Sequence, residues 1–225
     1  MERVVVNLKD RLLRVRLFLL QRIFPGSSNF WIKVYKNGGD SGPGSYGKLA
    51  NFKAEFLNNF IEKNEIDSII EFGCGDGNQI SLGRYKSYLG FDIAPEAISL
   101  CIKKFSNDVS KSFLLYQPEY FKPGGKIAAD LTLSLDVIYH LVELEKFEVH
   151  LRQLFESSNK WVIIYGYDSD NFFPEPYSKP RKFTGWIASQ LPEWSLESIV
   201  KNKYPLGGES TSTWADFYVF KKIAS

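Results

Sequence analysis

The apolar run Ser68-Ile69-Ile70 passes through Glu71-Phe72 directly into Gly73-Cys74-Gly75-Asp76-Gly77. Three glycines at alternate positions after a buried strand permit positive φ angles and let the backbone come close to a ligand. The next apolar run, Ser87 to Phe91, ends in Asp92, twenty-one residues beyond Glu71. A carboxylate there is placed to accept both ribose hydroxyls of an adenosine, which points to a nucleoside site at the carboxyl edge of a parallel sheet.

The rest of the chain repeats the same alternation. Strands are expected at 67–72, 87–92, 111–116, 130–136 and 160–166, with helices near 48–63, 94–105, 143–157 and 180–191, and a further helix directly after the glycine loop. Repeated strand-helix units build a parallel sheet with helices on both faces. The tail differs: Leu196–Lys201 and Ala215–Lys221 read as strands joined only through a Pro-Gly-Gly connection, which implies an antiparallel pair. The 225 residues suffice for one sizeable α/β core, and 44% hydrophobic with 24% charged residues is the composition of a folded globular chain.

The kind of nucleoside ligand follows from details. The dinucleotide fingerprint needs glycine or alanine three residues after its second glycine, and this chain has Asn78 there. Glu71 at the end of the first strand disfavours a pyrophosphate and suits a cationic group. The pattern Glu-x-Gly-x-Gly-x-Gly, with Asp92 closing the following strand, resembles the first two motifs of class I methyltransferases, and the resemblance extends over roughly residues 45–222. It implies a doubly wound α/β fold with a mostly parallel seven-stranded sheet ending in an antiparallel strand. It also implies S-adenosyl-L-methionine as cofactor, held by Glu71, Gly73, Cys74, Gly75, Asp76, Asp92 and its neighbour Ile93. In similar proteins the helix before the sheet folds over the cofactor's carboxylate end, a role that falls here to Tyr46 and Lys53. Family members often carry an acidic residue near the adenine after the third strand. This chain has Gln117-Pro118-Glu119 at that point, which makes Gln117 the candidate.

In this architecture the fourth strand ends beside the transferred methyl group, at Asp136, Tyr139 and His140. His140 is the candidate general base, because its pKa range suits proton removal from a hydroxyl, and Asp136 is expected to orient it or to bind the cofactor. His150 sits in an amphipathic helix and reads as a surface or interface residue. Asp168 and Asp170 offer oxygen ligands that could join Asp136 around a magnesium ion, but a solvated loop of Asx turns explains them better, and no metal is expected. The absence of an Asn/Asp-Pro-Pro-aromatic motif and of a Pro-Cys nucleophile turns the family analogy toward an oxygen acceptor. Two flanking stretches, 37–47 and 171–186, are expected to form a lid, with Tyr177, Lys179, Arg181 and Lys182 facing a phosphate-bearing or sugar-like acceptor. The run Gly-Ser-Tyr-Gly-Lys-Leu before the glycine loop is similar to small bacterial methyltransferases associated with glycan or polysaccharide modification. O-methylation of a sugar, a glycan intermediate or another small metabolite is therefore the expected reaction. N- or C-methylation and a non-catalytic cofactor-binding scaffold stay open.

Charge and cysteine content set the surroundings. Residues 1–24 carry Arg3, Lys9, Arg11, Arg14, Arg16 and Arg22 against Glu2 and Asp10, a local +4 in a chain of formal net charge +2, which leaves −2 for residues 25–225. These two stretches are read as a basic amphipathic helix and a catalytic domain. No nucleic-acid partner is expected from an acidic domain. The basic helix suits either a membrane interface or packing on the domain or on a second subunit. Two cysteines without disulfide or metal spacing, and no signal-peptide pattern, give a cytoplasmic expectation, with the inner membrane face as the peripheral alternative. The sequence leaves the oligomeric state open.

Overall fold

The computed structural model describes residues 24–171, 175–206 and 212–223. The expected N-terminal helix at 1–24 lies, but for Phe24, outside the described residues. Seven strands, β1 (Ser68–Phe72), β2 (Ser87–Asp92), β3 (Lys111–Leu115), β4 (Ala129–Leu135), β5 (Ser158–Gly166), β6 (Trp194–Val200) and β7 (Asp216–Lys222), form one sheet in the order β3-β2-β1-β4-β5-β7-β6. β1 to β5 are parallel, and β7 runs antiparallel to both β5 and β6. The order reverses between β1 and β4, where the carboxyl ends of open α/β sheets part to leave a crevice.

Among the described residues five helices accompany the sheet: α1 (Ser27–Lys36), α2 (Gly47–Lys63), α3 (Pro95–Lys104), α4 (Leu144–Glu156) and α5 (Phe183–Gln190). Strand periodicity splits the core in two. Ile69, Tyr88, Leu131, Leu133, Ile163 and Phe217 meet Leu57 and Ile61 of α2 and Ile98 and Cys101 of α3. Their neighbours Ile70, Phe91, Val162, Ile164 and Phe220 meet Phe147, Leu151 and Leu154 of α4 and Phe183 and Ile187 of α5. Both faces are covered, so the central strands are apolar throughout instead of alternating.

Two elements depart from the sequence expectation. The glycine loop is followed by a single 3-10 turn, Ile80–Leu82, where a regular helix was expected. Conversely, α1 follows the Pro25-Gly26 stop signal at once. Gly26 takes φ 89 as the residue before its first turn, so the glycine that breaks one segment starts the next. Among the described residues no helix is long and apolar enough to cross a membrane.

Candidate active site

A cavity of about 770 Å³ opens over the carboxyl ends of β1, β2 and β4, within the roughly 300–1,000 Å³ of small-molecule sites. Its floor is set by the glycine loop. The backbone N–H groups of Gly73 and Cys74 donate to the Phe91 carbonyl at 2.7 and 2.9 Å. The Gly75 N–H donates to Asp92 Oδ2 at 2.9 Å, and the Ala94 N–H donates to Oδ1 at 2.9 Å. The end of β2 thus clamps the loop that follows β1. At Gly75, φ is 60°, and a Cβ there would strike the Ser41 and Tyr35 hydroxyl oxygens. Only glycine satisfies both constraints.

Three carboxylates converge on this floor. Glu71 is buried and accepts the Tyr88 hydroxyl at 2.7 Å; burial pushes its pKa up to about 7. Asp92 is raised to about 6, again by burial, against the opposing pull of its backbone donors. Asp136 stands just past β4 with φ 60°. Its backbone N–H donates to the Tyr165 carbonyl at 2.9 Å. Its Oδ2 accepts the Lys53 ammonium at 2.6 Å, and its Oδ1 accepts the Tyr139 hydroxyl at 2.8 Å. Lys53 is itself buried, with its ammonium 5.3 Å from the Tyr165 ring centre.

His140 ends the 3-10 turn Ile138–His140. Its Nδ1 lies 3.2 Å from the Tyr177 carbonyl oxygen and 3.4 Å from the Ser178 hydroxyl. A carbonyl only accepts, so the proton of the neutral ring sits on Nδ1 and the lone pair on Nε2. Burial holds the His140 pKa below its ordinary value, which keeps the ring neutral near pH 7. Around it stand Trp31, edge-on at 4.9 Å, Tyr139 at 4.5 Å and Tyr177 at 6.2 Å. Phe30 stacks on Tyr177 at 5.0 Å, and Tyr167 stacks on Trp214 at 5.4 Å. All of these rings line the cavity.

Of the residues chosen from sequence, Lys53, Glu71, Gly73, Cys74, Gly75, Asp92, Ile93, Asp136 and His140 all meet on this cavity. Three do not. Tyr46 donates to Asp76 Oδ2 at 2.7 Å, and this pair lines a separate, shallow depression with Lys103 and Lys104. Gln117 is exposed, because the alternation of the strand end turns Tyr116 inward and Gln117 outward; Tyr116 and Pro118 line the cavity in its stead. Asp136 orients Lys53 and Tyr139, while the partners of His140 come from the 177–178 segment.

Other expectations change as well. His150 is buried, not at the surface: its Nε2 lies 2.8 Å from the Ser134 hydroxyl, and burial lowers its pKa to about 4. Asp168 accepts the Thr184 N–H and hydroxyl at 3.0 and 2.6 Å, and Asp170 accepts the Lys182 N–H at 3.1 Å. Both carboxylates therefore cap the start of α5. Among the described residues no cluster of three or more His, Cys, Asp or Glu side chains is arranged to hold a metal. From the two stretches expected to form a lid, residues 39–45 and Glu175, Tyr177, Ser178 and Pro180 line the cavity, whereas Lys179, Arg181 and Lys182 do not. Missed altogether were α1, through Phe30, Trp31 and Tyr35, and the β6–β7 connection, through Leu206 and Trp214. The i, i+4 spacing of Trp31 and Tyr35 was the available signal for α1.

No family model matches the chain, and no curated protein matches it in sequence. Solved structures match it in shape. The methyltransferase domain of bacterial CtHen1-C aligns with a TM-score of 0.63 and 16% identity, over 79% of this chain and 100% of that one. The chain has the class I methyltransferase fold. The same methyltransferase fold is shared with the N-methyltransferase NodS from Bradyrhizobium japonicum in complex with S-adenosyl-L-homocysteine, at TM-score 0.59 and 13% identity, over 76% of this chain and 85% of that one. Magnesium protoporphyrin IX methyltransferase from Synechocystis, with bound S-adenosyl-L-homocysteine, aligns at 0.57 and 13%, over 76% and 83%.

Proposed function

We propose that this protein is an S-adenosylmethionine-dependent methyltransferase acting on a hydroxyl of a sugar, a glycan intermediate or another small metabolite. The observation that carries the cofactor reading is the charge of the cavity floor. Glu71, Asp92 and Asp136 face it around the Lys53 ammonium, and over the whole described lining, with Asp40 and Glu175 against Lys146, carboxylates outnumber lysines. S-adenosylmethionine carries a sulfonium, an ammonium and one carboxylate, a net positive ligand that suits this excess; a dinucleotide pyrophosphate does not. In this reading Asp92 takes the ribose, Tyr116, Pro118 and Ile93 take the adenine, and the glycine loop allows close backbone approach. The bound cofactor supplies a methyl group already activated on sulfur.

What the chain adds is alignment and a base. His140 offers the Nε2 lone pair, with Nδ1 tied to Tyr177, and takes the hydroxyl proton of the acceptor there. The rings of Trp31, Tyr139, Tyr177 and Trp214 give the acceptor flat apolar walls, and Trp214 is half exposed. Such walls favour the apolar face of a sugar or another ring over a flexible chain.

Isothermal titration with S-adenosylmethionine and, in parallel, with NAD tests the cofactor. Binding of the first alone is expected, and binding of neither by the folded protein moves the scaffold reading to the front. An acceptor screen with His140→Ala then tests the base: turnover is expected to disappear with cofactor binding kept, and unchanged turnover removes His140 from that role.

A further inference from the structure

The segment from Glu175 to Arg181 lies across the turn that carries His140, and hydrogen bonds join the two at successive residues. The Lys179 N–H donates to the Tyr139 carbonyl at 2.7 Å. His140 Nδ1 meets the Tyr177 carbonyl at 3.2 Å. The Arg181 guanidinium then donates from its two terminal nitrogens to the carbonyls of Leu141 and Val142, at 2.7 and 2.5 Å. Its carbon sits 4.8 Å from the centre of the Phe147 ring. A planar fork spans two successive carbonyls; the single-point ammonium of lysine does not. Arg181 does not line the cavity, so it is not a reading head for an anionic acceptor.

The consequence concerns one proton. A neutral imidazole has a single N–H, and the group facing each nitrogen decides where it resides. The Ser178 hydroxyl, 3.4 Å from Nδ1, either donates or accepts and so fixes nothing. The Tyr177 carbonyl only accepts. It holds its place because the segment behind it is stapled to the far side of the turn by Arg181 and the Lys179 N–H. Free histidine prefers its proton on Nε2, the tautomer that leaves no lone pair toward the cavity.

We infer that Arg181 is a positioning residue for His140: by fastening the 177–181 segment to the 139–142 turn it presents the Tyr177 carbonyl to Nδ1 and keeps the Nε2 lone pair free for an acceptor proton. The catalytic consequence rests on the reading of His140 as general base; the tautomer itself does not.

Nitrogen-15 NMR of the imidazoles reads the tautomer directly, and the chain has only two histidines, so buried His150 is an internal reference. In the wild type, His140 is expected to show a pyrrole-type Nδ1 and a pyridine-type Nε2. In Arg181→Met, which keeps an apolar stem over Phe147, and in Arg181→Lys, the His140 signals are expected to move toward the reversed assignment while those of His150 stay in place. Turnover is expected to fall roughly tenfold, part of the roughly 100- to 10,000-fold that a base contributes, with KM for S-adenosylmethionine unchanged to within about twofold. If Arg181→Met perturbs His150, the lysine variant carries the test. Wild-type signals for His140 in a variant with His150 unperturbed overturn the inference, as does a proton on Nε2 in the wild type. The expected tautomer in the wild type and the expected shift in the variants, found in a protein that binds no S-adenosylmethionine, remove the methyltransferase reading and leave the Arg181–His140 coupling standing.

Discussion

Lys53 of α2 and Asp136 at the end of β4 form a buried ion pair across 83 residues of sequence, with Nζ 2.6 Å from Oδ2 and side-chain exposures of 1% and 14%. The pair ties the helix before the sheet to the residue beside the proposed transfer site. Lys53→Met leaves a buried carboxylate without its counter-charge and is expected to cost about 3 kcal/mol in urea denaturation. Lys53→Met combined with Asp136→Asn is expected to recover part of that loss. A double mutant as unstable as the sum of the single variants contradicts the pairing.

Cofactor affinity is expected to rise with pH. Glu71 and Asp92, raised to about 7 and about 6 by burial, are protonated at low pH and form the anionic floor only as pH passes those values. A cationic ligand favours the ionised floor, so titrations from about pH 5.5 to about pH 7.5 are expected to show roughly tenfold tighter binding at the upper end. A flat profile separates these carboxylates from the ligand.

Stability of the free protein has the opposite slope from the same residue. The folded-state pKa of Glu71 lies near 7, above its ordinary 4.5, so the native state binds the proton more tightly and loses relative stability as pH climbs between those values. Glu71→Gln keeps an acceptor for the Tyr88 hydroxyl and removes the titration. Relative to wild type it is expected to gain about 3 kcal/mol between pH 4.5 and pH 7. Parallel stability curves for the two proteins contradict a raised Glu71.

His150 acts at the acid end. Its folded pKa, near 4, is depressed from 6.5 by burial, so its contribution is complete above pH 6.5 and is lost as pH falls toward 4, by about 3 kcal/mol. His150→Asn has no such limb. The gap between wild type and variant is expected to narrow as acid is added.

Gly75→Ala tests the clamp under the cavity. Alanine at φ 60° is strained by roughly 1–2 kcal/mol, and its methyl meets Ser41 and Tyr35. Modest destabilisation with a large loss of S-adenosylmethionine affinity is expected. Full affinity in a folded variant means that the loop tolerates displacement and does not set the site.

The alternation of strands and helices, the antiparallel tail, and the glycine loop with Asp92 were all legible in the chain. They depend on periodicities and spacings within one or two elements, which neighbouring residues encode locally. The positions of Glu71, Asp92, Asp136 and His140 were also legible, because polar residues at the end of a strand or just beyond it are delivered to the carboxyl edge of the sheet wherever that strand lies.

Tertiary structure alone decided who partners whom. Whether Tyr116 or Gln117 faces the cavity depends on where β3 ends. Whether His150 meets water or Ser134 depends on α4 lying over β4. That Asp136 holds Lys53, while His140 Nδ1–H donates to the Tyr177 carbonyl, depends on segments tens of residues apart converging at the sheet edge. Hydrogen bonds and burial act through space, and a pattern along the chain carries no information about a neighbour that only packing supplies.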